Sequence, residues 1–380
     1  MSAKCIEWLD KHNAKGPKLV FDLCRVRKNY ELFKKSFLSI KPYYAVKANP
    51  HKKVILLLNN LGSFFDCASI SEIEKCISLN ICPSKISFGN TIKKEEDIKN
   101  AYSKGIRLFA FDSKAELEKI SRSAKKSKVF CRIQVPNKGS EWPLSKKFGC
   151  SPRIAEKLLL NAANKDLIPI GLSFHVGSQQ KQIKSWQKAI EITSKTYKNL
   201  SKQGLPMNFL NIGGGFPTSY SNNKANLKKY ARIILEAIEK NFGNYKPTNI
   251  ISEPGRYLVA DAGVIETEII LISKKTFKKT RTWVYIDVGR YNGLAETEGE
   301  AIKYKIKIAK ANKKQYKNEN FILAGPSCDS HDIIYEKTPC LLPSNIRIGD
   351  KLRIFSTGAY TTVYNTQFNG CTLLQEYYLD

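Results

Sequence analysis

The sequence has no long hydrophobic run and no apolar leader. Across its 380 residues, no apolar stretch approaches the ~18 residues that a membrane-spanning helix needs. The first residues, Met1 to Trp8, lack the apolar core of a signal peptide. We therefore expect a soluble, cytoplasmic protein with no membrane partner.

The cysteines lack the spacing of a metal site or a disulfide framework. Ten cysteines are scattered along the chain, without a Cys-x-x-Cys pair or a Cys/His cluster at zinc spacing. This pattern argues against a bound metal and against a secreted, disulfide-rich domain. It predicts reduced thiols that are mostly buried.

Acidic residues are scarce relative to basic ones. Lys and Arg number 63 and Asp and Glu 34, which gives a formal net charge of +29. The lysines are spread over the whole chain and do not form a basic arm or an arginine-rich helix. We interpret the charge as a solvated lysine-rich surface, and we expect no nucleic-acid partner.

Short apolar runs alternate with stretches of helical period from residue 40 to about 255. Repeated strand and helix signals of this kind are typical of a (β/α)₈ TIM barrel, whose chemistry lies at the C-terminal ends of the strands. We predict this barrel over residues 25–256. The eight runs are Tyr43 to Val46, Phe64 to Cys67, Ile86 to Phe88, Leu108 to Phe111, Val129 to Ile133, Gly171 to Phe174, Phe209 to Ile212 and Ile250 to Ser252.

The pattern changes to β-rich segments after about residue 256. The strand-like runs there are separated by turn residues and comprise Val264 to Ile272, Thr282 to Asp287, Phe321 to Ala324 and Lys351 to Phe355. Another run, Lys18 to Leu23, precedes the barrel. We predict a second, C-terminal domain resembling a β-sandwich or β-barrel, which takes in the N-terminal strand. Its expected limits are residues 1–24 and 257–380.

Lys47 follows the first predicted barrel strand, in the run Tyr-Tyr-Ala-Val-Lys-Ala-Asn-Pro. We expect a lysine at the mouth of a buried strand to be desolvated, which would lower its pKa and leave a free amine able to condense with an aldehyde. The pattern therefore indicates a carbonyl cofactor.

Other chemically active residues follow the remaining predicted strands. Acidic, basic and imidazole groups should converge at that end of the barrel, and three successive glycines with a nearby arginine suit a phosphate. Together these groups match the needs of pyridoxal 5′-phosphate (PLP). The residues are Asp66, Arg132, His175, Ser178, Gly213, Gly214, Gly215, Glu253 and Arg256.

From about residue 18 to its end, the chain resembles the barrel-fold (alanine racemase-like, fold type III) PLP-dependent basic amino-acid decarboxylases, especially those of the bacterial ornithine decarboxylase type. Eight motifs in order carry the resemblance. They are YAVKANP, FDCAS, FHVGSQ, NIGGGFP, EPGRYLVADAG, YIDVGRYNGLAETEGEAIKY, GPSCDSHD and STGAYTTVYNTQFNG.

The resemblance implies a role for each residue of the cofactor site. Lys47 would bind the cofactor aldehyde, Glu253 would keep the pyridine nitrogen protonated, and His175 would stack on the ring. Asp66 and Glu72 would orient Lys47, and Arg132 would pair with the carboxylates of the site. The phosphate would be held by Gly213, Gly214, Gly215, Ser178, Arg256 and Tyr360.

The resemblance also implies a substrate end and a homodimer. Asp329 and Glu300 would receive the distal ammonium of the substrate, and Cys328 would deliver the proton that replaces CO₂. Tyr291 and Phe368 would line the aliphatic stem. In the family the segment around Cys328 reaches into the partner subunit, so the active site would be shared across the dimer interface.

The expected reaction is decarboxylation of L-ornithine to putrescine. L-lysine, converted to cadaverine, remains open as a second substrate because one methylene changes binding by only about 1–3 kcal/mol. Two departures bear on the pocket: His331 stands where a small or aliphatic residue is expected, and Glu141-Trp142 precedes a segment expected to cover the site.

Three other functions stay open. Diaminopimelate decarboxylase would carry Glu in place of Asp329 and an additional arginine. A racemase of the same fold would have no use for the Cys328-Asp329 pair. A non-catalytic regulatory homologue that binds a protein partner should have lost Lys47, Cys328 or the phosphate ligands, all of which are present.

Overall fold

The computed structural model describes residues 2–12, 15–142, 147–220, 226–277, 279–309 and 316–380. The chain divides into two compact units. The barrel unit comprises Arg27–Pro217 and Ala225–Tyr257. The sheet unit comprises Met1–Val26, Thr218–Lys224 and Leu258–Asp380. The predicted domain limits, 25–256 for the barrel and 1–24 with 257–380 for the β domain, stay predictions.

A closed barrel of eight parallel strands forms the centre of the barrel unit, as the sequence predicts. Each predicted run lies in one of these strands or overlaps it. Around the barrel the strands are Ile40–Ala45, Phe64–Cys67, Ile86–Phe88, Leu108–Phe111, Lys128–Arg132, Ile168–Ser173, Phe209–Asn211 and Asn249–Ser252.

Aromatic side chains fill part of the barrel interior. Tyr43 stacks on Phe64 with ring centroids 4.9 Å apart, and Phe130 packs on Phe209 at 5.0 Å. Gly171 allows two strands to approach closely, since a Cβ at this position would lie 1.9 Å from the carbonyl oxygen of Phe209. These contacts close the barrel below the strand ends that carry the predicted site.

Several helices of the barrel unit begin at a polar residue whose side chain caps the first turn. Ser69, Ser113, Ser151 and Asn226 each accept a hydrogen bond from a backbone N–H three residues later, which satisfies a donor that the helix itself cannot. The helices are Leu23–Ser36, whose first turn belongs to the sheet unit, then Lys52–Asn60, Ile70–Ser78, Glu95–Ser103, Lys114–Ser123, Pro152–Ala163, Lys184–Lys202 and Leu227–Phe242.

An eight-stranded mixed sheet dominates the sheet unit, which confirms the predicted β domain. The N-terminal strand Lys18–Asp22 belongs to it, pairing antiparallel with Gly263–Phe277 and parallel with Gln375–Leu379. The other strands are Lys279–Ile286, Lys305–Ile308, Asn318–Ala324, Ile333–Pro343 and Lys351–Phe355, and the helix Ala3–Lys11 precedes the first strand.

The sequence analysis missed four elements of this unit. They are the helix Ala3–Lys11 and the strands Lys305–Ile308, Ile333–Pro343 and Gln375–Leu379. All three strands lie at edges of the sheet. An edge strand is paired on one side only and mixes polar with apolar residues, so its sequence carries a weak strand signal.

The structure also corrects the expectation for the cysteines. All ten are free thiols, but only five of them are buried. No helix in the described residues is long and apolar enough to cross a membrane.

A buried ionic cluster joins three strands of the sheet. Glu266 is 3% exposed and lies between Lys18 Nζ, 3.4 Å from its Oε1, and Arg353 Nε, 3.1 Å from its Oε2. Arg353 also pairs with Asp10 at 2.6 Å. Buried cations of this kind depend on their carboxylate, because water is not available to replace it.

We predict that Glu266→Ala lowers the free energy of unfolding by about 3–5 kcal/mol, because it removes the carboxylate that both Lys18 and Arg353 contact inside the sheet. Urea unfolding followed by circular dichroism measures this. Glu268→Ala, on the same strand but exposed, is the control and should change the free energy by about 0.5 kcal/mol or less. Equal losses in the two variants would contradict the assignment.

Candidate active site

Lys47 lies directly after the strand Ile40–Ala45, in the short 3₁₀ turn Val46–Ala48. The turn places it at the C-terminal end of the barrel strand, as predicted. The predicted burial is wrong: Lys47 is exposed, while its neighbours Val46 and Ala48 are buried. Its charge nonetheless acts on Asp66, Glu72 and His175.

Two carboxylates lie near the Lys47 ammonium. Burial, followed by the negative charge of Glu253, raises the pKa of Asp66 well above its usual range, while the charge of Lys47 opposes this shift. Burial likewise raises the pKa of Glu72, against a backbone hydrogen bond and Lys47. The backbone bond, 2.7 Å from Ala68 N–H to Glu72 Oε2, fixes that carboxylate beside the second strand.

Arg132 and His175 face the same group of charges. Arg132 ends its strand with the guanidinium 5.1 Å from the centroid of the Phe148 ring, and burial lowers its pKa despite the nearby carboxylates. Burial lowers the pKa of His175 well below its usual value, and the charges of Arg132 and Lys47 add to the effect. Because His175 Nδ1 accepts a hydrogen bond from the Gly177 N–H at 3.0 Å, the neutral ring carries its proton on Nε2.

The three glycines form a turn that side chains could not occupy. Gly213 and Gly215 have φ values of +65° and +96°, in the region that favours glycine. A Cβ would lie 2.2 Å from the Phe174 carbonyl oxygen at Gly213 and 2.3 Å from the Gly177 carbonyl oxygen at Gly215. The backbone therefore runs against the sixth strand end, with room only for hydrogen atoms.

Asn211 ties this turn to Glu253. Its side-chain N–H donates to Glu253 Oε1 at 2.6 Å, and its Oδ1 accepts from the Gly213 N–H at 2.9 Å. The Glu253 N–H donates in turn to the Gly213 carbonyl oxygen at 2.9 Å. No role was predicted for Asn211 from the sequence, although it stands two residues before the first of the three glycines.

Ser178 and Arg256 meet on the glycine side of the barrel. Arg256 is 4% exposed, and its Nε–H donates to Ser178 Oγ at 3.1 Å. Ser178 begins the short strand Ser178–Gln180, which pairs antiparallel with Ser140–Trp142. The Glu141-Trp142 segment is thus held beside a proposed phosphate ligand. Tyr360 belongs to the sheet unit, and its part in binding phosphate stays a prediction.

The residues of the barrel unit fit PLP. Lys47 offers an exposed primary amine for the aldehyde, and Glu253 an oriented carboxylate for the ring nitrogen. The glycine turn and the Arg256–Ser178 pair offer donors for a phosphate. Asp66 Oδ1 is buried and has no hydrogen-bond partner in the described part of the chain, as expected of an acceptor whose partner comes from a ligand or a moving side chain.

The predicted substrate residues of the sheet unit form a second group. Asp329 Oδ2 accepts from the Tyr291 hydroxyl at 2.7 Å, and the Tyr291 ring packs on Phe368 with centroids 4.6 Å apart. Cys328 is exposed, and its backbone N–H donates to Asn369 Oδ1 at 3.1 Å. A carboxylate, two aromatic rings and a thiol are thus presented together.

Glu300 is engaged elsewhere in the same unit. Its Oε1 accepts from the backbone N–H groups of Glu336 at 2.8 Å and Lys337 at 2.5 Å. Burial would raise the pKa of Glu300, but these bonds and others to Thr338 outweigh it and lower the pKa. Its carboxylate therefore holds a strand in place, and its predicted contact with the substrate ammonium stays a prediction.

Asp332 organises the turn that bears Cys328 and Asp329. It is 3% exposed, and it accepts from the Arg290 N–H at 2.8 Å, the Ser327 N–H at 3.1 Å and the Ser327 hydroxyl at 2.7 Å. The sequence analysis quoted the motif that contains Asp332 without giving it a role. The sequence did contain a signal for this role, namely an aspartate that closely follows Cys328 and Asp329.

A closed parallel barrel with a lysine, paired carboxylates and a glycine turn at its strand ends defines a barrel-fold PLP protein. Residues 23–260 match the family described as "Pyridoxal-dependent decarboxylase, pyridoxal binding domain". The chain belongs to the fold type III PLP-dependent basic amino-acid decarboxylases.

The relatives differ in substrate and role. The lysine/ornithine decarboxylase of Selenomonas ruminantium is 31% identical over 93% of this chain and 87% of its own length. Antizyme inhibitor 2 of Xenopus laevis is 33% identical over 92% of this chain and 78% of its own. The arginine decarboxylase of Paramecium bursaria Chlorella virus superposes with a TM-score of 0.90 over 100% of both chains, at 28% identity.

We predict that His175 makes the protein less stable in acid. The unfolded histidine binds a proton near pH 6.5, but the folded His175 does not because its pKa is lowered, so stability is lost as pH falls below about 6.5. Between pH 7.5 and 5, the cofactor-free wild type should lose about 1–2 kcal/mol more than His175→Gln.

Urea unfolding at the two pH values measures this difference. His51→Gln tests the same effect at a second histidine. Burial, with the nearby lysines, lowers the pKa of His51 to about 4, so this variant should also lose less stability in acid than the wild type. Equal acid sensitivity of the wild type and His175→Gln would contradict the buried, neutral imidazole.

Proposed function

We propose that the protein decarboxylates L-ornithine to putrescine with PLP as cofactor. The observation that carries the proposal is the Asp329 carboxylate, which lies beside the Tyr291–Phe368 ring pair and the exposed Cys328 thiol. Backbone and Tyr291 hydrogen bonds lower the pKa of Asp329, so it is an anion suited to a distal ammonium. The rings suit a short aliphatic stem.

The protein's own groups bind, orient and move protons around the cofactor. The Lys47 amine would hold it through its aldehyde. When bound, PLP supplies an electron sink for the pair of electrons left when CO₂ departs. Glu253, oriented by Asn211, would keep the pyridine nitrogen protonated, and the neutral His175 would stack on the ring without adding a competing positive charge.

Arg132 and the carboxylates set the charge balance of the barrel unit. The guanidinium partly neutralises Glu253 and Asp66, whose charges act on it, and Asp66 with Glu72 orients Lys47. Arg256, Ser178, the glycine turn and Tyr360 hold the phosphate. Cys328 would deliver the proton that replaces CO₂ on the α-carbon, and the Lys47 amine would then displace the product amine, putrescine.

L-lysine is the second candidate substrate, supported by the Selenomonas relative that is named for both amino acids. Diaminopimelate is disfavoured because its far end carries a carboxylate, which Asp329 would repel. The Arg290 guanidinium is engaged in part elsewhere, since its Nη1 donates to Glu298 Oε2 at 2.7 Å.

A regulatory role is the alternative from a different class, and the Xenopus relative is named for inhibition and not for decarboxylation. Against it, this chain retains Lys47, Cys328 and the proposed phosphate ligands. We further propose a cytoplasmic homodimer in which Cys328 and Asp329 complete the site of the partner subunit.

The test is CO₂ release by the purified protein with PLP and ornithine, lysine, arginine or diaminopimelate. We expect ornithine to be the best substrate, with lysine about 10- to 200-fold lower in kcat/KM. Lys47→Ala should abolish turnover, and borohydride should fix a pyridoxyl group on Lys47 in the wild type only. Lys52→Ala, an exposed neighbour, should remain active. Faster turnover of diaminopimelate would refute the assignment of Asp329.

The proposed sharing of the active site predicts complementation. Lys47→Ala and Cys328→Ala are each expected to be inactive, but mixed dimers should contain one intact site and recover up to about a quarter of wild-type activity per total protein. Mixtures of Lys47→Ala with Lys47→Arg are the control and should stay inactive. If dimers containing both variants form without any recovery, each site lies within one subunit.

A further inference from the structure

Both oxygens of the Asp329 carboxylate are already engaged by protein groups. Oδ2 accepts from the Tyr291 hydroxyl at 2.7 Å, and Oδ1 accepts from the His331 backbone N–H at 2.8 Å. The Nδ1 atom of the His331 ring lies 3.3 Å from the same Oδ1. One carboxylate oxygen, Oδ2, therefore contacts a phenol, and the other, Oδ1, contacts an imidazole.

The His331 ring is not part of a packed core. Its side chain is 80% exposed, whereas that of Asp329 is 31% exposed. Replacing the ring would leave no cavity, and the backbone N–H that bonds Oδ1 would remain. The position of the ring over Oδ1 is therefore a local feature of the turn, separable from its folding.

Other charged groups near this turn have partners of their own. Arg290 donates from Nη1 to Glu298 at 2.7 Å and from its backbone N–H to Asp332 at 2.8 Å. Asp332 also accepts from the backbone and hydroxyl of Ser327. The His331 ring is thus placed to affect whether Asp329 Oδ1 can accept a hydrogen bond from a bound cation.

An ammonium and a guanidinium make different demands on a carboxylate. An ammonium is a compact point charge that can pair with one oxygen, whereas a guanidinium pairs best through two parallel N–H···O bonds to both oxygens. With the imidazole beside Oδ1, an ammonium still has access to Oδ2 next to Tyr291. A guanidinium must displace the ring or give up one of its two bonds.

We propose that His331 is a specificity-determining residue, which makes the Asp329 carboxylate select an ammonium over a guanidinium. The inference rests on the proposed function, because it takes Asp329 as the group that receives the distal cation. It assigns this chain to ornithine and lysine and against arginine. A small residue at this position would leave Oδ1 open to the second bond.

The test measures binding of putrescine and agmatine to the PLP-loaded protein by calorimetry. These amines carry an ammonium and a guanidinium, respectively, and require no turnover. In His331→Ala the affinity for agmatine relative to putrescine should rise about tenfold, the effect of one additional charge-assisted hydrogen bond. His331→Asn is the matched control: its side-chain N–H can take the place of the Nδ1–H, so the wild-type ratio should be kept.

Steady-state kinetics supply a second readout that a purely structural role would not change. In His331→Ala, KM for arginine should fall with little change in kcat, and KM for ornithine should stay within about twofold. An unchanged agmatine-to-putrescine ratio in His331→Ala, or an Asn variant that behaves like Ala, would overturn the role of His331 alone.

Failure of the proposed function gives a different result. Asp329→Asn should weaken both amines together, because it removes the charge that receives them. If Asp329→Asn binds both amines as tightly as the wild type, or the wild type binds neither, then Asp329 is not the cation receptor. This result would refute both the proposed substrate and the proposed role of His331.

Discussion

The barrel unit depends on holding charges of both signs at the ends of parallel strands, where water is limited. Asp66 is 5% exposed, and Glu253 and Arg132 act on it and on each other. None of these charges is tolerable alone in such a place, because an isolated buried charge costs several kcal/mol. Together they form a nearly balanced group that can accept a charged cofactor without rebuilding the fold.

Backbone geometry holds this group in place. The glycine turn runs so close to the sixth strand end that a side chain at Gly213 or Gly215 would collide with a carbonyl oxygen. Asn211 then connects the turn to Glu253 through two hydrogen bonds. The Glu253 carboxylate and the glycine turn are therefore parts of one hydrogen-bonded arrangement.

In the sheet unit, Asp332 holds the turn that bears Cys328 and Asp329 by hydrogen bonds, as Asn211 holds the glycine turn in the barrel unit. Its buried carboxylate receives three donors from Arg290 and Ser327. Gly289 and Gly325 lie against it, since a Cβ at either position would come within 2.4 Å of its oxygens. Cys328 and Asp329 are thereby presented from a fixed base, while His331 stays exposed at its edge.

The sequence determined the barrel, the order of its strands and the chemical identity of the site, because parallel strands buried on both faces read as short apolar runs and their C-terminal ends must converge. Edge strands such as Lys305–Ile308 were missed because their signal is weak. Only the tertiary structure decided that Lys47 is exposed and that the Glu300 carboxylate accepts hydrogen bonds from backbone N–H groups. It also brought Tyr291 beside Asp329. Exposure and hydrogen-bond partners depend on which segments meet in space, and residue types alone do not specify that meeting.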